Sequence, residues 1–465
     1  MTQEKQNKST QSLIFELKNK IREISSKAFD EYEEDYMKRF HKSNFITKTG
    51  FSIHDKDFSA KSPQWSKFVT TLAALHSWKT HKLSSERKCV EFMEIILHPF
   101  TNIYNICIDK HIDKICNDPA RSQKLKENMR SQLTNELKAV FQRSLIERVQ
   151  HYKKNFNPII KPSLISVSIY LNQFLEGQNG WLKYFQETPV LLKLCGLITL
   201  NKTRNDLKIL RRLTKDKNDL NAVLGVSLPI QVQNIYTNLS DPHKGRQSVA
   251  IIEFSDKKKV VYKPRSLSCD EVYIKTTRII DKENELKNPL LINKRNYGWT
   301  EFINRREPCN TSEVQRYYKN LGKIFALIDF IGGVDFHEEN FIIHQMSPVP
   351  IDLEGVFSPI EIPPEVDSVK IPDEFKIHQI DAICILPRYQ YFDQSKRIVP
   401  LGPLVLEDKI LRAKSLIPRI LNENSLDAKL AEFEENEQSR QHIIHLNGKP
   451  IDPCNYQEYL IEGFE

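Results

Sequence analysis

The chain is poor in glycine, with 14 among 465 residues, and it contains no G-x-G-x-x-G or G-x-x-x-x-G-K-[ST] stretch. Standard dinucleotide sites and P-loops are therefore not indicated, because both place glycines where the backbone closes on phosphates. No apolar run approaches the roughly 20 residues that cross a bilayer, and no apolar signal core follows the polar start of the chain. A cytoplasmic protein without a membrane span is expected. Eight cysteines are scattered with no C-x-x-C pair, so free thiols are expected. Cys107, His111 and Cys116 offer three metal ligands without a fourth nearby. Interleaved with Ile108, Ile112 and Ile115, they read as a helix face. Internal repeats and low-complexity segments are also missing. The 68 basic and 60 acidic residues are spread throughout and leave a net charge of +8. That balance points to an anionic partner such as a nucleotide or acidic peptide, and carries no nucleic-acid signature.

What is present is a globular composition: 40% hydrophobic residues in 465 suffice for a sizeable core and two to three domains. Residues 1–225 read as mainly helical. In the stretch 121–154, free of Gly and Pro, Leu125, Met129, Leu133, Leu137, Val140, Phe141, Leu145, Ile146 and Val149 recur mostly every three or four positions. The pattern changes near Val226. Residues 248–254 and 260–263, rich in β-branched side chains and separated by a polar turn, predict a β-hairpin. Lys263 closes its second strand, either as a solvated strand end or as the strand lysine with which kinase-like folds hold nucleotide phosphates. The polar segment 240–246 stands where a kinase carries its phosphate-covering loop. Asp241, His243 and Arg246 lie near the phosphates on that reading and are plain turn residues otherwise. A helical stripe over 311–331 leads into the next motif. Proline-rich residues 358–378 predict a surface loop or lid, and further helices are expected over 404–417 and 424–436.

The chain is organised around GGVDFHEENFIIHQMSPVPIDLEGVF, residues 332–357. Asp335, His337 and Asn340 occupy a short loop, two apolar runs suggest a hairpin, and Asp352 and Glu354 follow. Protein kinases need an Asp that accepts the hydroxyl proton, an Asn five residues on for a metal ion, and a second Asp past a hairpin for the phosphate-bridging metal. Asp335, Asn340 and Asp352 meet that spacing. Asp-x-His by itself is ordinary turn chemistry. The complete constellation favours phosphoryl transfer, which consists mostly of positioning and charge neutralisation.

VVYKPRSL (260–267), YGWTEF (297–302), DFHEEN (335–340) and PIDLEGVF (350–357) together resemble the dehydratase domain of class II lanthipeptide (lantibiotic) synthetases, in that order and at similar separations. The likeness extends from about residue 160 and includes Asp241-Pro-His243, ETPVLLKL and the terminal EGF. Residues 1–150 are similar only in helical character. The resemblance implies an α+β fold: a lipid-kinase-like two-lobed core with a large helical N-terminal region. Its parts would be helical residues 1–225, an N-lobe at 226–310 and an incomplete C-lobe at 311–465. It also implies that ATP and Mg2+ are used to phosphorylate Ser and Thr of a precursor peptide, with elimination to dehydroalanine or dehydrobutyrine. Lys263 would hold ATP phosphates, Asp335 would orient or deprotonate the hydroxyl, and His337 would support the loop and the transferring group. Asn340 and Asp352 would hold magnesium, and Asp241 and His243 match positions linked to phosphate handling and elimination.

Two departures from the family pattern are visible. Ser240 stands where many members have Gly before the Asp-x-His turn. The chain also stops after the Gly-Phe segment, before the family's Arg and Thr for elimination and before its zinc-dependent cyclase. Impaired elimination, and a separate chain supplying the missing parts, are the matching expectations. The alternatives are an atypical lipid or small-molecule kinase, and an inactive fragment that binds a leader peptide.

Overall fold

In the computed structural model, residues 89–155, 171–172, 174–175, 177–239, 245–358, 382–392, 397–406, 415–422, 427–433 and 442–465 are described. The first part is helical: α1 (Cys89–Ile112), α2 (Pro119–Asn155), α3 (Gly177–Glu187), α4 (Pro189–Lys215) and α5 (Lys217–Leu224). The apolar stripe of α2 is what its spacing predicts, with Leu125, Met129, Leu133, Leu137, Phe141, Leu145 and Val149 fully buried. It meets an aromatic cluster in which Phe141 stacks on Tyr184 at 5.4 Å between centroids and Phe100 packs on Trp181 at 5.8 Å. Pro189 opens α4, where its missing N–H costs nothing. Ile108, Ile112 and Ile115 are buried, while Cys116 lies past the end of α1 and donates to the Asp118 carbonyl. Among the described residues no three His, Cys, Asp or Glu side chains are grouped to hold a metal ion, and no helix is long and apolar enough to cross a membrane.

The next elements are strands β1 (Val232–Tyr236), β2 (Ala250–Phe254) and β3 (Lys259–Lys263), helix α6 (Ser268–Ile280), and strands β4 (Leu291–Asn293) and β5 (Gly298–Glu301). They form one antiparallel sheet in the order β1-β2-β3-β5-β4. Because side chains alternate across a strand, Val260 and Tyr262 of β3 join the core shared with the helices. Lys263 projects from the other face. A buried polar network joins helices to sheet: Tyr104 Oη donates to Asp206 at 2.5 Å, and Lys202 Nζ bridges Asp206 and Thr237. Asp216, at the turn between α4 and α5, accepts from Tyr297 Oη and Trp299 Nε1, each at 2.9 Å. The aromatic pair of the YGWTEF segment is therefore structural: it clamps β5 onto the helical layer, with the Arg212 guanidinium over the Tyr297 ring at 3.8 Å.

A second core gathers around α7 (Thr311–Phe330), whose Val314, Leu321, Ile324 and Ile328 are buried with Tyr273 and Ile274 of α6. Asn310 caps α7 by accepting from the Glu313 amide at 2.9 Å, and the Glu313 carboxylate accepts from the amide of Cys309, just before the cap, at 2.8 Å. A 3-10 turn (Glu338–Asn340) leads into the hairpin of β6 (Phe341–His344) and β7 (Ser347–Pro350). Three further two-stranded ribbons follow: β8 (Arg388–Phe392) with β9 (Arg397–Leu401), β10 (Ser415–Asn422) with β11 (Asp427–Phe433), and β12 (His445–Leu446) with β13 (Lys449–Pro450). Helix α8 (Gln457–Phe464) closes the chain against α7.

The helices expected over 404–417 and 424–436 are not found where those ranges are described. Residues 415–422 and 427–433 are antiparallel strands, and β10 continues through Pro418, which pairs with Leu430. Mixed segments of seven or eight residues suit either state, and the availability of a pairing partner decides between them. The expected loop or lid at 358–378 lies outside the described residues after Ser358.

Candidate active site

Lys263 is the last residue of β3, and Pro264, without an N–H, ends the ladder there. Arg265 follows, and α6 begins at Ser268, so Asp270 sits in that helix's first turn, where a negative charge is favoured. The three side chains meet. Lys263 Nζ lies 3.2 Å from Asp270 Oδ1 and donates to the Ile351 carbonyl. Arg265 Nη1 lies 2.7 Å from Asp270 Oδ2, its Nη2 lies 2.9 Å from Asp352 Oδ1, and its Nε lies 3.4 Å from Glu354 Oε2. Burial pulls the Arg265 proton affinity down, but Asp270 and then Asp352 outweigh it and hold the guanidinium proton more tightly than usual. Asp270 is almost wholly buried, whereas Asp352 remains 45% exposed and open to a ligand.

The Asp335 loop is held from several sides. Asp335 adopts a left-handed backbone with φ of 66°, a conformation Asp tolerates better than most residues. Its amide donates to the Ala382 carbonyl at 2.9 Å, and the next amide, of fully buried Phe336, donates to Ile383 at 2.7 Å. Residues 331–334 run beside 355–358: Val334 N donates to Gly355 O at 3.0 Å and Ser358 N to Gly332 O at 2.9 Å. A Cβ on Gly355 would stand 2.2 Å from the Val334 carbonyl oxygen, so the two segments approach this closely only with glycine there.

His337 Nδ1 accepts from the Glu339 amide at 3.3 Å and caps the 3-10 turn, which leaves the proton of the neutral ring on Nε2. Asn340 Nδ2 donates to the Asp335 carbonyl at 2.7 Å, while its own carbonyl accepts from Ile351 N at 2.9 Å. Only the amide nitrogen can serve a carbonyl, so this bond sets the side-chain orientation and leaves Asn340 Oδ1 unused by it. The links Lys263–Ile351–Asn340–Asp335 thus connect the sheet, the segment after the hairpin and the loop.

Of the residues singled out from sequence, Lys263, Asp335, Asn340 and Asp352 are brought into one connected group, with His337 capping the turn between them. Arg246 is held elsewhere: its Nη2 donates to Glu136 of α2 at 3.0 Å. It lines a pocket on the helical side of the sheet with Asn205, Gln247, Tyr262 and Pro264. Asp241 and His243 lie outside the described residues. Sequence reasoning missed Asp270 and Arg265. The available signals were a cation two residues after the strand lysine and an acid opening the next amphipathic helix.

The chain shows similarity to a curated protein of Lactococcus lactis subsp. lactis, "Lacticin 481/lactococcin biosynthesis protein LcnDR2", at 27% identity over 191 residues. That match takes in 38% of this chain and 20% of the relative, so the chain spans about a fifth of that protein. A family profile described as "Domain of unknown function (DUF4135)" matches residues 189–465, from the first residue of α4 through α8. With more than half of its length matched and the Lys263–Asp352 group inside the matched part, the chain belongs to the DUF4135 family.

Proposed function

We propose that this protein is a lanthipeptide dehydratase-like enzyme that uses Mg-ATP to phosphorylate Ser and Thr hydroxyls of a precursor peptide. In this reading the sheet with α6 is the small lobe of a lipid-kinase-like core, and α7, the β6–β7 hairpin and α8 belong to its large lobe. On this reading the parts are 1–225, 226–310 for the first lobe and 311–465 for the second, in a protein that works in the cytoplasm; of the first part, residues 1–88 and 156–170 lie outside the described residues. The observation that carries the reading is the pairing of strand Lys263 with Asp270, tied through Ile351 to Asn340 and through Arg265 to Asp352. A lysine–acid pair between strand and helix, and an Asn and an Asp for metal, are the recurring parts of kinase sites. The relative's role in lacticin 481/lactococcin biosynthesis supports a peptide substrate of that class.

The donor set fits the group. Both candidate metal ligands are oxygens, as Mg2+ requires, and two protein ligands leave room for phosphate oxygens and water. When bound, Mg-ATP supplies the transferable phosphoryl group and its metal neutralises phosphate charge. Lys263, oriented by Asp270, would bind phosphate oxygens. Asp335 would take the proton of the Ser or Thr hydroxyl as its oxygen bonds to the γ-phosphorus and the bond to ADP breaks. His337 would offer Nε2–H to the transferring group, and Asn340 ties its own position to that of Asp335 through the 2.7 Å bond. Asp241 and His243 are proposed to serve the phosphate-handling turn and the subsequent elimination, and Arg246 to lie beside that turn.

The test combines calorimetry with mass spectrometry on the full chain. Wild type should bind a non-hydrolysable ATP analogue only with magnesium, and Asp352→Asn should lose that dependence. Asp335→Ala should keep binding and lose about 10²- to 10⁴-fold in peptide phosphorylation. Wild type without magnesium-dependent nucleotide binding defeats the proposal, and phosphorylation of a lipid or small molecule in place of the peptide transfers it to another kinase class.

A further inference from the structure

Arg265 has no part in the mechanism above, yet it makes more ion pairs than any other residue of the group. Its guanidinium spans Asp270 and Asp352 and reaches Glu354. The Asp352 oxygen it holds, Oδ1 at 2.9 Å, belongs to a carboxylate assigned to magnesium. The two uses conflict. Magnesium binds oxygen at about 2.0–2.1 Å, and a guanidinium on the same carboxylate would put two like charges within about 5 Å of each other. The anchors of Arg265 differ in kind, since Asp270 is buried and Asp352 half-exposed. The contact to Asp352 is therefore the one that yields.

We propose that Arg265 is a placeholder for the metal ion at Asp352, and that once displaced it turns about Asp270 to bind the nucleotide phosphates. This inference rests on the kinase-like reading and deepens it. The charge balance agrees. Lys263 and Arg265 face Asp270, Asp352 and Glu354, a cluster one charge negative that would attract a divalent cation. With that cation it is one charge positive and suited to a polyphosphate. Guanidinium geometry fits both tasks, because its planar fork pairs with carboxylates and phosphates alike. The Lys-Pro-Arg spacing serves this arrangement: Pro264 ends the strand so that Lys263 and Arg265, two residues apart, each reach one oxygen of the Asp270 carboxylate.

The experiment uses the full chain as wild type, Arg265→Ala and Arg265→Gln. Mn2+ is the probe, followed by electron paramagnetic resonance without nucleotide, and a non-hydrolysable ATP analogue with magnesium is followed by calorimetry. Removing a partly exposed competitor should tighten Mn2+ binding about 2- to 5-fold. The same change should weaken the nucleotide analogue about tenfold or more, the scale of a lost charge-assisted bond. A merely structural Arg265 would weaken both ligands together. Should Arg265→Ala not fold, the less drastic, polar and uncharged Arg265→Gln reads the same two quantities. Wild type that binds the nucleotide, with variants whose Mn2+ affinity is unchanged or lower, overturns the Arg265 proposal alone. Wild type that binds no nucleotide overturns the kinase-like reading and this proposal with it.

Discussion

Replacing Asp270 by Asn tests the centre of the site most directly. Both carboxylate oxygens of Asp270 are used, Oδ1 by Lys263 at 3.2 Å and Oδ2 by Arg265 at 2.7 Å. The residue is 3% exposed. Asparagine keeps the volume and so creates no cavity, but it leaves two cations side by side without the charge between them. Breaking a buried ion pair by removing one partner costs about 3–5 kcal/mol. Here the cost is reduced because Lys263 keeps the Ile351 carbonyl and Arg265, itself partly exposed, keeps Asp352 and Glu354. An expected loss of about 2–3 kcal/mol remains. At roughly 2–4 °C per kcal/mol, thermal unfolding should begin about 4–12 °C lower. On the proposed kinase-like function nucleotide affinity should fall as well, since the lysine that would bind the phosphates is released from the acid that orients it. Differential scanning calorimetry and nucleotide titration on one preparation supply both readouts. Unchanged melting with unchanged affinity would refute the reasoning, because it would mean that neither cation depends on Asp270.

Two further outcomes follow from the packing. Gly322→Ala should destabilise the protein by about 1–3 kcal/mol, although alanine is favoured over glycine by about 1 kcal/mol in an isolated helix. The new Cβ would stand 2.1 Å from the Leu460 carbonyl oxygen, pushing α8 off α7 and loosening the Phe325–Phe464 contact at 5.1 Å. A raised melting temperature would contradict that. In native alkylation at pH 8, exposed Cys309 and Cys454 should react first, while Cys195, fully buried with its thiol pushed well up by desolvation, should stay protected until unfolding. Peptide mapping by mass spectrometry reads the order, and early labelling of Cys195 would contradict the packing of α4.

Much of the local structure follows from the sequence alone. The stripe of α2, the hairpin of β2 and β3, the helix before Asp335 and the short loop after it are all encoded within windows of about 10–30 residues. Periodicity and turn residues act locally, so these elements are legible without a partner. For the same reason Asp335, Asn340 and Asp352 can be named from spacing: one hairpin separates them, and its length sets their relation. Only the tertiary structure decided the rest. Whether residues 415–422 and 427–433 become strands depends on which segment pairs with which. Pairing likewise holds 331–334 against 355–358, where Gly355 leaves room for the Val334 carbonyl. Arg246, placed by the sequence beside the phosphate loop, is paired with Glu136, more than a hundred residues away along the chain. Asp270 and Arg265 acquire significance only when the end of β3, the first turn of α6 and the segment after β7 converge. A charge has no sequence signature of its partner: the Coulomb energy depends on distance in space and on burial, and both are set by the packing of the whole chain.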